Sequence, residues 1–274
     1  MRILVRTSKW ALWSRRLGSF GLPLMLVPVL MHRGGGIDTN SFAIVELLAL
    51  VVAALALLTG LVAVIRIWFT GDLGWGLALT GLLLGLICLL PLGYFGYAWR
   101  TWPMADDVTT DSAAPPPLVS TLPAAYALPD DPARLAAAFP GVRDRTYPVG
   151  ARRVYDIALQ LVGEQGWAVL QQQPPDIDQP EGDINAVATT LLGFRDEVAI
   201  RMTALQDGGT RVSMRSAALA PLHEPGANGR RVESFLAALD DRISQLQQDQ
   251  SAGAEDDADQ PPIPAPAPPR GKRR

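Results

Sequence analysis

The chain has 274 residues, 49% of them hydrophobic, and a formal net charge of −3. That average hides two unlike parts: residues 17–99 carry few charges, whereas residues 101–248 hold 12 Arg, no Lys and 19 Asp+Glu, a net charge of −7. An acidic region of this kind excludes a phosphate-backbone binder, which needs clustered positive charge, and the single cysteine, Cys88, excludes an intrachain disulfide or a cysteine zinc site.

Residues 1–16 form a basic N-terminus with Arg2, Arg6, Lys9, Arg15 and Arg16. Three apolar runs follow within residues 17–100: Leu17–Met31, Phe42–Ile65 and Leu73–Trp99. A membrane helix needs roughly 20 apolar residues, which the second and third runs supply. The first is shorter and contains Pro23 and Pro28. No small-x-small cleavage pattern follows it, so it reads as a kinked span extending through Gly34–Gly36 rather than as a removed signal peptide. Glu46 lies near the start of the second run, where a headgroup-level position costs least. Gly81 and Gly85 form a GxxxG pattern suited to close packing between the second and third spans.

Orientation follows from Lys and Arg in the short flanks. With the N-terminus inside, Arg2, Arg6, Lys9, Arg15, Arg16 and Arg66 lie in the cytoplasm, and only Arg33 and Arg100 lie outside. Three spans then put everything after Trp99 on the periplasmic side of a bacterial inner membrane. Tyr94, Tyr97, Trp99 and Trp102 would form an aromatic belt at that exit.

Residues 101–131 read as a linker that Pro115-Pro116-Pro117 stiffens into polyproline-like backbone, holding the next domain off the bilayer. Asp107 and Asp111 within it are suited to cap a turn or hold a metal, the first being the simpler use. The soluble domain is expected over residues 132–248. Asp131-Pro132 opens a short helix through Phe139. Val154, Ile157, Ala158, Leu161 and Val162 recur at helical spacing over 151–162. Trp167–Leu170 reads as a short buried strand, and Ile184–Phe194 as a strand with a bulge at Gly193.

The clearest signal is a hairpin. Val198, Ile200, Met202 and Ala204 alternate with polar residues, and the alternation resumes at Val212 and Met214. Only registers that keep the apolar residues on one face are allowed. One of these sets Arg201 opposite Arg215, a like-charge pair. The next sets Arg201 opposite Ser213, leaves a three-residue loop and gives Gly208 the left-handed position. The second register is therefore predicted. Arg201, Arg211 and Arg215 then share the polar face, offset by neighbours such as Asp196 and Glu197, or they form a site for an anion or carboxylate. A last helix is capped by Asn228 and carries a stripe of Val232, Phe235, Leu236, Leu239, Ile243 and Leu246. The fold class is an α-helical membrane region of three spans plus an α+β domain, an antiparallel sheet with helices packed on one face. Residues 249–274, acidic and then Pro/Ala-rich, read as a disordered tail.

Several blocks together resemble a known family. They are Asp107-Val-Thr-Thr-Asp111, Tyr147-Pro148, Gly193-Phe-Arg-Asp-Glu197 running on to Arg201, Gly209-Thr-Arg-Val-Ser-Met-Arg-Ser216, and Gly226-x-Asn228-x-x-Arg231. Over about residues 105–246 the chain resembles the uncharacterised bacterial family DUF1499, in a membrane-anchored branch. The resemblance implies no activity.

No catalytic or metal-binding motif stands out, and no cofactor is implied. His223-Glu224 in a Pro/Gly-rich loop reads as a solvated pair. The leading expectation is a membrane-anchored envelope module without catalysis, whose partners are the lipid bilayer and another envelope protein or small anionic ligand. Its candidate ligand residues are Arg201, Arg211, Arg215, Asp107 and Asp111. The alternative is a membrane-anchored, hydrolase-like enzyme built from the same acids and arginines.

Overall fold

A computed structural model of the chain describes residues 6–103, 105–120, 132–220 and 222–258. Three long helices come first: α1 (Lys9–Arg33), α2 (Thr39–Thr70) and α3 (Trp75–Thr101). Two of them, α2 and α3, are long and apolar enough to cross a membrane. By that measure α1 is not, and the reason is its charge pattern. Lys9, Arg15, Arg16 and Arg33 leave only Leu17–Met31 free of charge, about 22 Å of helix against a hydrocarbon core of about 30 Å. The helix is continuous through Pro23 and Pro28. It stops before the glycines: Gly34 is its C-cap, and Gly35, at φ 72°, turns the chain toward α2.

Small residues line the contacts between these helices, among them Ala11, Ser14, Gly18, Ala53, Ala56, Gly60, Ala78 and Gly85, all buried. The Ser14 hydroxyl donates to the Ala56 carbonyl at 2.9 Å, tying α1 to α2. The GxxxG pair does more than join α2 to α3. Gly81 lies against Ser14 and the Arg15 backbone of α1, while Gly85 lies against the Ala53 carbonyl and Leu57 of α2. Large apolar side chains such as Leu58, Leu83 and Leu90 point outward. At one end of the bundle the N-terminal segment meets the α2–α3 loop, with Ser8 N–H donating to Leu73 O and Leu73 N–H to Arg6 O. The end of α1, the start of α2 and the end of α3 gather at the other, and there the α+β domain sits.

That domain contains β1 (Asp107–Thr109), α4 (Pro132–Ala138), β2 (Arg145–Tyr147), α5 (Ala151–Glu164), β3 (Ala168–Gln173), β4 (Glu181–Thr189), β5 (Arg195–Ala204), β6 (Thr210–Ala218) and α6 (Ala227–Ala258). The strands form one antiparallel sheet in the order β1-β6-β5-β4-β3. Both β1 and β2 pair with β6, β1 along Arg215–Ala217 and β2 along Thr210–Val212, so they share one edge end to end. Asp107–Thr109, expected within a spacer, therefore belong to the sheet. Helices α5 and α6 cover one face, where Val154, Leu161, Ile184, Ile200, Met214, Phe235 and Leu239 make the core.

The predicted hairpin register is the observed one. Arg201 faces Ser213 and Met202 faces Val212 across β5 and β6, with Gly208 at φ 82° in the loop. Three other expectations are corrected. Strand β4 ends at Thr189, and Gly193, at φ 93°, lies in the tight turn into β5 rather than in a bulge. Strand β3 is an exposed edge with Val169 and Leu170 open to solvent; only Trp167 before it turns inward, stacking on Phe235 at 5.3 Å. Helix α6 continues to Ala258, past the start of the expected tail, and residues 259–274 lie outside the described residues.

Candidate functional site

The face of the sheet opposite the helices is polar by alternation. The register sets Arg215 opposite Ala199, Ser213 opposite Arg201 and Arg211 opposite Thr203. The three arginines therefore share this face, with Arg201 diagonal to both others. Each has a different environment. Arg215 holds Asp107 in a two-pronged pair, its Nε donating to Oδ1 at 2.9 Å and its Nη2 to Oδ2 at 2.5 Å. The hydrogen bond to Asp107 is the main cause that raises the Arg215 pKa above its ordinary value. Arg201 lies 3.6 Å from Asp183 on β4. Burial pushes the Asp183 carboxyl above the usual range, and Arg201 pulls it part of the way back. Arg211 is exposed at the rim, beside Thr146 of β2. Asp111 turns onto its own loop, its Oδ1 accepting from the Ala113 and Ala114 amides at 3.0 Å. The structure thus brings Asp107 to an arginine and makes Asp111 a turn cap.

Residues 112–120 lie across this face and are gripped mainly by their backbone. Arg201 donates to the Ala114 carbonyl at 3.3 Å, Arg215 to Pro116 at 3.3 Å and Asn185 to Pro117 at 2.8 Å. Glu197, fully buried, accepts from the Val119 amide at 2.6 Å and the Ser120 amide at 2.9 Å. The prolines expected to hold the domain away from the bilayer instead form a strap on the sheet. Sequence reasoning missed Asn185 and Glu197, although period-two alternation from Arg201 puts Glu197 on the same face.

Asp196, one residue earlier, faces the other way. It pairs with Arg231 of α6 at 2.6 Å. Arg231 also donates to Ser216 Oγ and Asn228 Oδ1, each at 2.8 Å. Asn228 in turn donates to the Ala105 and Asp106 carbonyls. Asn228 is therefore a buried link inside the first turn of α6 rather than its cap. Asp106 continues the chain to His223, whose Nε2 lies 3.2 Å from Oδ1. His223 is 4% exposed, so the expected solvated pair with Glu224 does not form. Glu224 accepts instead from the Tyr94 hydroxyl of α3 at 3.1 Å.

A third polar and aromatic cluster joins domain to bundle. His32 stacks on Phe42 at 4.5 Å and meets Phe194 edge-on at 5.4 Å. Trp102, expected in the aromatic belt, stacks on Phe139 at 5.2 Å and lies under the Arg230 guanidinium. Among the described residues no group of three or more His, Cys, Asp or Glu is placed to hold a metal ion.

These features define a class: an apolar helical bundle carrying an antiparallel α+β domain, with a strapped polar face and a buried charge network behind it. Residues 107–239 match the family model described as protein of unknown function, DUF1499, and form a domain of that family. The match begins at the first residue of β1, so the strap lies inside the family domain. Blocks that carry the resemblance in sequence converge in space: Asp196, Ser216, Asn228 and Arg231 come from three of them. No curated protein matches this chain.

Proposed function

We propose that the protein is a membrane-anchored envelope module that acts by binding, with the strapped polar face of the sheet as its binding surface. One observation carries this reading: the face already holds an extended stretch of chain through main-chain groups, using Arg201, Arg215, Asn185 and Glu197. A surface that meets carbonyls with guanidinium groups is chemically suited to carboxylates and other small anions. Arg201, Arg211 and Arg215 would contact such a ligand, with Asp107 and Asp111 fixing Arg215 and the strap at its margin. Thermal shift on the full chain in detergent, with inorganic phosphate and short dicarboxylates as probes, tests this. Stabilisation that disappears in Arg211→Ala and Arg201→Ala supports it, and no stabilisation by any of the anions refutes it.

The anchor is three spans in a bacterial inner membrane, with the N-terminus cytoplasmic and the domain periplasmic. Support comes from the six-to-two excess of Lys and Arg and from the placement of N-terminal segment and domain at opposite ends of the bundle. In this arrangement α1 crosses beside α2 and α3, its basic first turns lying at the cytoplasmic headgroups. Reporter fusions after Gln248 test the orientation: a periplasm-active enzyme should work there and a cytoplasm-active one should not.

A further inference from the structure

Two loops of the domain are fixed to the end of the bundle, and each exposes a leucine there. The β4–β5 loop is held to the end of α1. His32 Nδ1 lies 2.8 Å from the Leu192 carbonyl, and the Arg33 guanidinium donates to the Thr190 and Leu191 carbonyls at 3.1 Å. Phe194 closes this joint against His32 and Phe42. The Leu191 side chain is nevertheless 79% exposed. Residues 222–226 are held to the end of α3. There Glu224 meets Tyr94, and Gly226 lies so close to Trp102 that a Cβ would collide with the ring. Leu222 is 45% exposed.

We propose that Leu191 and Leu222 seat the domain on a lipid surface, a surface role that rests on the membrane reading above. Both loops are tied to helix ends, so their height relative to the bundle is set by hydrogen bonds. The outward surface next to them is apolar and aromatic: Tyr94, Tyr97 and Trp99 are exposed on the last turns of α3. Rings of this kind settle at the headgroup level of a bilayer, with leucines suited to the acyl boundary beside them. Arg33 adds the polar part. Only its Nη1 is engaged by the loop carbonyls, and a guanidinium has five N–H donors, which leaves Nη2 and Nε for a lipid phosphate. Two loops on two helix ends make a two-point contact that fixes tilt as well as height.

Full-length protein in lipid nanodiscs containing phosphatidylglycerol tests this. Cys88→Ser removes the one native thiol, and single cysteines at positions 58, 191, 206 and 222 carry a fluorophore. Gln206 lies in the β5–β6 loop, at the far end of the sheet. With lipids brominated on the acyl chain, quenching at 191 and 222 should exceed that at 206 at least twofold and approach that at 58. Strong quenching at 58, with 191 and 222 no more quenched than 206, overturns the docking surface and leaves the anchor standing. No quenching at 58 overturns the membrane reading and the proposal with it.

Discussion

Arg231, the fifth residue of α6, lies 2.6 Å from Asp196 on β5, and 1% of the Asp196 side chain is exposed. The pair connects the start of a core helix to the start of a central strand, and Ser216 and Asn228 accept two further hydrogen bonds from the guanidinium. Removing one partner of a buried pair leaves the other charge uncompensated, at a cost of roughly 3–5 kcal/mol. Arg231→Met should lower the unfolding free energy of the domain by about that amount, again by the cost of a stranded buried charge. Asp196→Asn in the Arg231→Met background should recover part of it. Denaturant unfolding of the four members of this cycle measures both values, and a loss well under 1 kcal/mol in Arg231→Met would contradict the assignment.

Glu197 holds the strap through two amide hydrogen bonds while fully buried. Hydrogen bonds to a charged group contribute about 1.5–3 kcal/mol each. Glu197→Ala should therefore raise the opening of residues 112–120 by about tenfold or more. Hydrogen exchange at the Val119 and Ser120 amides reads this directly. Protection unchanged from the native protein would show that the strap is held by other means.

Tyr147 is buried against α6 and donates to Asp240 Oδ1 at 2.6 Å. Burial first, and then this hydrogen bond to a carboxylate, push the phenol well above its ordinary value. The raised folded value means that the neutral phenol is favoured by the fold. The stability tied to it is complete below about pH 10, the ordinary phenol value, and is lost as pH rises above it. Phenolate absorbance from Tyr147 should therefore appear only together with unfolding. Tyr147→Phe should cost about 1.5–3 kcal/mol at neutral pH, the size of one hydrogen bond to a charged group, and flatten the alkaline loss.

Gly81 sits against the backbone of Ser14 and Arg15, whereas Gly93 on the same helix has nothing near it. Gly81→Val should separate α1 from α3 and lower the melting temperature of the detergent-solubilised chain, at the cost of about 1–3 kcal/mol typical of overpacking. Gly93→Ala should leave it unchanged or slightly higher, as Gly→Ala in a helix does. Equal effects from the two substitutions would contradict the packing described.

The hairpin register was legible because two physical rules met there. Alternation restricted the pairings, and the repulsion between Arg201 and Arg215 excluded one that remained. Helix α5 and the apolar stripe of α6 were legible for a similar reason, since a core-facing helix must repeat its apolar residues. The strap was not. A polyproline backbone has the same composition whether it is solvated or lies across a sheet, so Pro115–Pro117 read as a spacer. The Asp196-Glu197 pair read as two neighbouring charges, although strand geometry sends them to opposite faces: Glu197 to the strap and Asp196 to Arg231. Asn228 has the residue type of a helix cap, and only the folded chain brings Ser216 and Asp106 to it. Strand β2 is three residues long, too short for any periodicity to show.

Five residues, 102–106, separate the end of α3 from the first residue of the sheet. Fully extended they span about 17 Å, and the domain beyond them is about 35 Å across for its size. With α3 as a membrane span, the domain has no leash. It cannot search the space above the bilayer, and whatever engages it has to arrive within one domain diameter of the lipid or share the same membrane. Encounter then becomes a two-dimensional matter, set by the density of neighbours in the plane rather than by concentration in the compartment.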